Sequence, residues 1–156
     1  MSNSKTDSTT HSERICRLQL GNLQELIELE NACFPHPYSV DQLSSLLTDP
    51  NSISAGILLG SDLIGYLFSR NVLQSLDIER IAVSPGQRRK GFSSELIHFA
   101  ERKCQDLNIN NLTLEVSSLN EGAIAFYCSL GFEVDGKRAA YYKDGSDAVL
   151  MSKKIA

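Results

Sequence analysis

IERIAVSPGQRRKGFSS, residues 78–94, combines an apolar strand, a tight Pro-Gly turn and a helix start. Successive cations stand in the turn: Arg88, Arg89 and Lys90. A helix that begins here presents its first free backbone N–H groups, and the positive end of its dipole, beside these cations. Helix starts of this kind bind anions, most naturally phosphate or pyrophosphate. A solvated basic turn without a ligand is the alternative, but Gly91 and the strand–turn–helix order favour an anion site.

The strand that leads into this turn has an apolar face that changes sides. Leu76 and Ile78 lie on one face, whereas Ile81 and Val83 fall on the opposite face if the alternation is regular. One extra residue near 79–80 restores a single apolar face, so the sequence predicts a β-bulge there. A bulge leaves backbone groups unpaired and available to a ligand that carries amides. A strand that is buried on both faces explains the pattern equally well.

The composition is typical of a globular protein with one domain. The 156 residues are 42% hydrophobic and 22% charged, and the net charge is −4. This charge argues against non-specific binding to nucleic acid or to an anionic membrane. Residues 1–12 are rich in Ser and Thr and are predicted to form a disordered tail, and residues 13–156 a single domain. No apolar run is long enough to cross a bilayer.

The cysteines predict neither a disulfide framework nor a metal site. They are widely separated and show no C-x-x-C spacing: Cys16, Cys33, Cys104 and Cys128. The histidines do not pair with them at the spacings of zinc ligands, so we predict no metal. In the absence of a secretory signal, the pattern is typical of reduced thiols in a cytoplasmic protein.

Hydrophobic periodicity predicts the element order β-α-α-β-β-β-α-β-α-β-β, a mixed α/β fold in one domain. Asn22 is placed to cap the first helix, and residues 39–42 form a capping box for the second. The third helix is expected to bury Leu107 together with the rest of its apolar face. Asn120 is placed to cap the fourth helix.

Two motifs make the sequence resemble the GNAT acetyltransferases. Arg88-x-x-Gly91-x-Ser93, which follows an Ile-Ala-Val strand, matches their Q/R-x-x-G-x-G/A acyl-CoA motif. Asn120-x-x-Ala123-x-x-x-Tyr127-x-x-x-Gly131-Phe132 matches their second signature. Leu114-Glu115-Val116 and Phe34-Pro35-His36-Pro37-Tyr38-Ser39 resemble segments of the RimI-type members of that superfamily. The likeness extends from about Arg14 to Met151.

The resemblance implies the acyl-CoA N-acyltransferase fold, a mixed central sheet of about six to seven strands flanked by about four helices. It also implies acetyl-CoA as the cofactor and coenzyme A as the product. The residues implied in cofactor binding are Ile81, Ala82, Val83, Arg88, Arg89, Lys90, Gly91, Phe92, Ser93, Ser94 and Asn120. The backbone of residues 81–83 is expected to pair with the pantetheine amides like an added strand, and Gly91 lets the chain approach the pyrophosphate. Ser93 replaces the commoner Gly or Ala.

The resemblance implies two catalytic residues. Glu115 is expected to be the general base that takes a proton from the acceptor amine. A modest base suffices for this step, because an α-amino group has a pKa of about 8. Tyr127 is expected to be the general acid for the departing thiolate. The residues alone are also consistent with an exposed strand glutamate at 115 and a half-buried core tyrosine at 127.

RimI-type enzymes acetylate the N-terminal alanine of a small-subunit ribosomal protein, so the resemblance implies a protein N-terminus as the acceptor. Tyr38, Tyr141 and Tyr142 are candidates for binding the peptide, and aromatic packing at a sheet edge is the alternative for the last two. Tyr38 stands where Trp is usual and Ser117 where Arg is frequent, and both departures concern the acceptor. The alternatives are a lysine, a polyamine or another small amine, and, in a different class, a non-catalytic acyl-CoA-binding module.

Overall fold

A computed structural model describes residues 14–156, so the tail predicted over residues 1–12 lies outside the described residues. The described chain forms a seven-stranded sheet and four α-helices in the predicted order. The elements are β1 (Ile15–Cys16), α1 (Leu23–Cys33), α2 (Val40–Thr48), β2 (Ser52–Leu59), β3 (Asp62–Val72), β4 (Ser75–Val83), α3 (Phe92–Asp106), β5 (Asn111–Ser117), α4 (Glu121–Ser129), β6 (Glu133–Arg138) and β7 (Ala148–Lys154).

The strands lie in the order β1-β2-β3-β4-β5-β7-β6. Pairing is antiparallel throughout the sheet except between β4 and β5, which are parallel. This exception follows from connectivity, because the helix α3 carries the chain from the end of β4 back to the start of β5. The sheet separates two apolar clusters: α3 and α4 pack on one face, and α1 and α2 pack on the other. The mixed α/β fold predicted from the sequence is confirmed.

The predicted β-bulge lies in the middle of β4. Ile78 pairs with Ser69 and Arg80 pairs with Phe68, so Glu79 is the extra residue that has no partner of its own on β3. Leu76 and Ile78 before the bulge, and Ile81 and Val83 after it, belong to the same apolar cluster beneath α3. The bulge therefore keeps one apolar face continuous, and the bulge interpretation of the sequence is confirmed over the strand buried on both faces.

The helix ends agree with the predicted caps in two cases of three. The side chain of Ser39 accepts from the backbone N–H of Gln42 in the predicted capping box. Asn120 accepts from the backbone N–H of Ala123 at 3.1 Å, as predicted. The prediction for Asn22 is wrong, because a 3-10 turn precedes α1 and the Asn22 side chain accepts instead from the backbone N–H of Gln19.

Two further details of the helices bear on the fold. Leu107 is 48% exposed, so the prediction that it belongs to the buried face of α3 is wrong. The helix ends at Asp106, and Leu107 is its C-cap, which has left the helical spiral that buries Leu96, Ala100 and Cys104. Among residues 14–156, no helix combines the length and the apolar character that crossing a bilayer requires.

Candidate active site

A gap opens between β4 and β5 next to the bulge. The parallel pairing of these strands ends at Ile78 and Leu114, although β4 continues to Val83 and β5 to Ser117. A bulge bends its strand and increases the local twist, which accounts for the divergence. The gap exposes the edge of β4 that would otherwise pair with β5.

The free backbone groups along this edge can be assigned from the ladder. The Ser84 N–H donates to Ile64 O at 2.7 Å, and hydrogen-bonded pairs alternate along an antiparallel ladder, so the pair Ala82–Tyr66 is also bonded. The N–H and C=O groups of Ile81 and Val83 consequently point towards the gap. Ala82, predicted to bind the cofactor, uses its backbone groups within the sheet, so Ile81 and Val83 are the residues whose backbone groups face the gap.

The start of α3 provides free donors close to this edge. The first helical bond joins the Glu95 N–H to Gly91 O at 3.1 Å, which leaves the N–H groups of residues 92–94 without helical acceptors. Gly91 has a φ of 85°, and a Cβ built on it would meet no atom within 4 Å, so a ligand can approach the backbone there. The side chain of Phe92 is buried in the core, so this residue offers its backbone alone.

The cations of the turn do not act as one cluster. Arg88 folds back, and its Nε donates to Val83 O at 3.3 Å, an oxygen that also accepts from Cys33 Sγ at 3.5 Å. Lys90 Nζ donates to Gln87 Oε1 at 3.0 Å. Arg89 makes no hydrogen bond or ion pair to residues 14–156 and is available to an anion. Arg88 thus braces the end of β4, and the N–H of Val83 rather than its oxygen remains available.

A cavity of about 880 Å³ occupies the gap and the space beside it. Its wall brings together seven residues singled out from the sequence: Tyr38, Ile81, Glu115, Asn120, Tyr127, Tyr141 and Tyr142. They come from four separate parts of the chain, namely the α1–α2 connection, β4, the β5–α4 region and the β6–β7 connection. The predicted phosphate-binding residues of the turn lie outside this wall, at the helix start described above.

Glu115 lies on the cavity side of β5. Leu114 and Val116 are buried in the core, and the alternation of the strand places Glu115 on the opposite face. The carboxylate Oε1 lies 3.6 Å from Arg138 Nη2, in an ion pair that joins β5 to the end of β6. The side chain is 29% exposed, so it can meet a substrate in the cavity and still exchange protons with water.

Tyr127 lines the cavity and has a packed ring. Its ring centroid lies 5.4 Å from that of Phe126 and 5.6 Å from that of Phe132. Burial raises the pKa of Tyr127 to about 12, so the phenol keeps its proton through the physiological range. The half-buried core tyrosine is therefore confirmed, and the role of Tyr127 as general acid stays a prediction.

An aromatic part of the cavity wall comes from the β6–β7 connection. The rings of Tyr141 and Tyr142 meet edge to face at 5.1 Å, and the guanidinium of Arg138 lies 5.7 Å from the Tyr141 ring centroid. Tyr141 is 50% exposed, and the Tyr142 N–H donates to Ser146 O. The half-exposed ring of Tyr141, supported edge to face by the half-buried Tyr142, offers an aromatic surface to a peptide or another extended acceptor.

Sequence reasoning missed several charged side chains of the cavity. Asp77, Glu79 and Arg80 all line it, because the bulge presents successive residues of β4 to the gap. Burial raises the pKa of Asp77, against the lowering effect of the Thr113 hydroxyl, which donates to it at 2.9 Å. The available signal was the presence of three charged residues within four positions, 77–80, of an otherwise apolar strand at the predicted bulge.

Comparisons with known proteins identify the fold and the family. The model of the Acetyltransferase (GNAT) family matches residues 23–132. A ribosomal protein bS18-alanine N-acetyltransferase of Escherichia coli is 26% identical over 145 residues, which cover 91% of this chain and 97% of that protein. An N-alpha-acetyltransferase of Saccharolobus solfataricus is 25% identical over 150 residues, covering 88% of this chain and 90% of that protein.

Solved structures give the same result. The crystal structure of the Escherichia coli ribosomal-protein-S18-alanine N-acetyltransferase superposes with a TM-score of 0.84 at 26% identity, covering 91% of this chain and 93% of the other. Arabidopsis thaliana NAA60 in complex with acetyl-CoA shares the fold, with a TM-score of 0.82 at 18% identity and coverage of 90% and 98%. The chain belongs to the GNAT acetyltransferase family and is an acetyl-CoA-dependent N-acetyltransferase.

Proposed function

We propose that this enzyme acetylates the N-terminal α-amine of a protein, with the N-terminal alanine of a small-subunit ribosomal protein as the preferred acceptor. The observation that carries the proposal is the cavity, which is lined both by Glu115 of β5 and Tyr127 of α4 and by the aromatic side chains of Tyr38, Tyr141 and Tyr142. Two relatives act, by their names, on a protein N-terminus: the bS18-alanine enzyme of Escherichia coli and the archaeal N-alpha-acetyltransferase.

The residues of the gap and of the α3 start fit acetyl-CoA. The N–H and C=O of Ile81 and the N–H of Val83 are offered to the amides of the pantetheine arm. The free N–H groups of residues 92–94, together with Arg89, offer donors to the pyrophosphate. Open space at Gly91 leaves room for the phosphates. Asn120 lines the cavity, but its side-chain oxygen already caps α4, so its amide nitrogen is the group left for the cofactor. Acetyl-CoA supplies the thioester from which the acetyl group is transferred.

Glu115 is the general base of the proposal. An α-ammonium loses its proton at a pH of about 8, so a partly exposed carboxylate, acting directly or through one water, suffices as the acceptor of that proton. The ion pair with Arg138 holds the carboxylate at the cavity edge. Holding the amine beside the acyl donor supplies much of the remaining acceleration.

Tyr127 is the proton or hydrogen-bond donor to the departing sulfur. A phenol with a pKa of about 12 stays protonated at every working pH. A thiol has an ordinary pKa of about 8.5 and is therefore a stronger acid than this phenol. Tyr127 consequently stabilises the developing thiolate by hydrogen bonding. Tyr38, Tyr141 and Tyr142 are proposed to hold the backbone of the acceptor.

The test is an acetylation assay with matched peptides. Peptides that begin with Ala, Ser or Met are offered with free and with blocked N-termini, and each contains one lysine. We expect acetylation of the free Ala peptide and none of its blocked form. Mass spectrometry of N-termini from cells that lack this protein then identifies the acceptor, and we expect one ribosomal protein to lose its acetyl group. Acetylation of the lysine in a blocked peptide would contradict the proposal.

A lysine or polyamine acceptor is the second candidate. It is favoured by the carboxylates of Asp77, Glu79 and Asp144 on the cavity wall, which suit any cationic amine. Spermidine and free lysine therefore belong in the same assay. A non-catalytic acyl-CoA-binding module, the third interpretation of the sequence, would bind acetyl-CoA without accelerating thiol release in the presence of any of these amines.

A further inference from the structure

A carboxylate with no solvent exposure lies under the acceptor side of the cavity. Glu30 of α1 is 0% exposed and accepts hydrogen bonds from three residues. The Tyr38 N–H donates to its Oε2 at 2.7 Å, and the Tyr66 hydroxyl donates to its Oε1. Arg80 completes the set, with Nε 3.0 Å from Oε1 and Nη2 2.6 Å from Oε2. A charge so deeply buried is tolerated because all of these donors face it.

Arg80 is also stacked between two aromatic rings. Its guanidinium carbon lies 3.4 Å from the ring centroid of Phe34 and 4.1 Å from that of Tyr38, so a ring covers each face. Nη2 further lies 3.4 Å from His36 O, within the same connection between α1 and α2. One side chain of β4 therefore touches the connection at three of its residues, and all three line the cavity.

The bulge explains why Arg80 can do this. Because Glu79 is the extra residue, Arg80 lies on the same face of the sheet as Ala82, the face that packs against α1 and α2. The apolar neighbours Ile78 and Ile81 lie on the other face. Although burial acts to lower it, the hydrogen bonds to Glu30 raise the pKa of Arg80, so the side chain remains charged. The ion pair is thus fixed between the helix α1 and the edge of the gap.

Stability alone is a weak reason for such a pair. Replacing a buried ion pair by apolar side chains of similar volume is often neutral or stabilising, whereas removing one partner leaves a buried charge and is costly. A planar, bidentate and doubly stacked arginine instead fixes geometry, since the guanidinium permits one orientation for each of its contacts. The geometry that is fixed here is that of the acceptor wall.

We propose that Arg80, held by Glu30, is a positioning residue for the acceptor: it keeps residues 34–38 in place as part of the wall of the cavity that Glu115 also lines. This inference rests on the proposed use of the cavity for the acceptor amine and holds for a peptide or a small amine. Arg80 acts through Phe34 and Tyr38 and takes no part in the proton transfers. Loss of the pair should therefore affect the acceptor and leave the cofactor unaffected.

The test uses a double variant that leaves no unpaired buried charge, E30M/R80M. We expect a thermal midpoint about 5–15 °C below that of the wild type, because the Tyr66 hydroxyl and the Tyr38 N–H lose their acceptor. The KM for acetyl-CoA should be unchanged, and the KM for the acceptor should rise by about tenfold or more. The kcat at saturating acceptor should change by less than about threefold. Arg80→Lys, which keeps the charge but loses the fork and the stacking, should give an intermediate KM.

The control is Lys153→Met, which removes a more exposed ion pair, Lys153 Nζ to Glu101 Oε1 at 2.8 Å, whose two residues do not line the cavity. It should leave the acceptor KM unchanged. An acceptor KM in E30M/R80M equal to that of the wild type would overturn the inference and leave the proposed function standing. If the wild type acetylates no peptide, the proposed function fails instead, and the KM is measured with the amine that the enzyme does use.

Hydrogen exchange gives a second readout that needs no acceptor. In the wild type, the Tyr38 N–H is bonded to the buried Glu30 and should exchange slowly. In Arg80→Met and in E30M/R80M, exchange over residues 34–38 should accelerate by at least about tenfold, with β4 and β5 unchanged. Equal exchange in wild type and variants would show that the pair does not hold the wall, and the inference would be wrong.

Discussion

Deletion of Glu79 separates the role of the bulge in the fold from its role in cofactor binding. Without Glu79, Ile78 is followed directly by Arg80, and the regular alternation then places Leu76, Ile78, Ile81 and Val83 on one face. The register on β3 stays continuous, because Ile78 already pairs with Ser69 and Arg80 with Phe68. We therefore expect the shortened chain to fold with the same core. The bend at the bulge is lost, so β4 should run on beside β5 and close the gap.

The two expected effects differ in size. The deletion removes the ion pair between Glu79 Oε1 and Arg70 Nε at 2.8 Å, which at 26% and 33% exposure is worth about 0.2–1 kcal/mol. That lowers the thermal midpoint by only a few degrees, about 2–4 °C per kcal/mol for a domain of this size. Closure of the gap removes three backbone groups from the cofactor, namely Ile81 N–H, Ile81 C=O and Val83 N–H. Each lost hydrogen bond is worth about 0.5–1.5 kcal/mol, so the dissociation constant for acetyl-CoA should rise at least about tenfold.

Calorimetric titration with acetyl-CoA and thermal unfolding followed by circular dichroism measure both effects. Glu79→Ala is the matched control, because it removes the carboxylate and the ion pair but keeps the extra residue. It should bind acetyl-CoA within about threefold of the wild type, whose amide edge it retains. A folded deletion variant that binds as tightly as the wild type would refute the argument. A deletion variant that does not fold would refute it as well, since the alignment of the two apolar faces is its premise.

Three other substitutions test the chemistry and the helix start. Glu115→Gln should lower kcat by about 10²-fold or more with acetyl-CoA affinity unchanged, as steady-state kinetics and calorimetry would measure; full activity would exclude it as the base. Tyr127→Phe should lower kcat by about 10²-fold and keep the rise of kcat/KM as the acceptor amine deprotonates near pH 8. Because the pKa of Tyr127 is about 12, the wild-type profile should not fall again below about pH 11, and a descending limb near pH 9 would implicate another donor. Gly91→Val should lower the free energy of unfolding by about 1–2 kcal/mol, since Gly91 has a φ of 85°, and should weaken acetyl-CoA binding. Gly86→Val in the same turn is the control and should change neither the stability nor the binding.

The features that could be predicted from the sequence depend on local pattern. The switch of the apolar face between Ile78 and Ile81 required an inserted residue, and the bulge lies at Glu79. Likewise, a strand, a turn and Gly91 predicted the start of α3, because a left-handed φ before a helix needs glycine. Glu115 alternates with buried Leu114 and Val116 because a strand has a side-chain period of two.

The features that could not be predicted depend on contacts between distant parts of the chain. Glu30 falls at a position of α1 that shares the apolar spacing of Leu26, but no local rule reveals that its partner stands 50 residues later on β4. Arg88 looked like a free phosphate ligand, whereas its Nε is bonded to Val83 O. Asn22 has the residue type of a helix cap, but a preceding 3-10 turn engages its side chain elsewhere.

One inserted residue connects the two halves of the site. On the side towards β5, the bulge ends the parallel pairing at Ile78, and the amides of Ile81 and Val83 face the gap. On the side towards α1, the extra residue stands directly before Arg80, which leaves Arg80 on the face where Glu30, Phe34 and Tyr38 receive it. Any substitution that shifts the bulge must therefore disturb the cofactor edge and the acceptor wall together, whereas loss of Arg80 alone disturbs one. In a set of β4 variants, the change in the KM for acetyl-CoA can be compared with the change in the KM for the acceptor. A rise in both indicates that the bulge itself has moved, and a rise in the acceptor KM alone indicates that it has not.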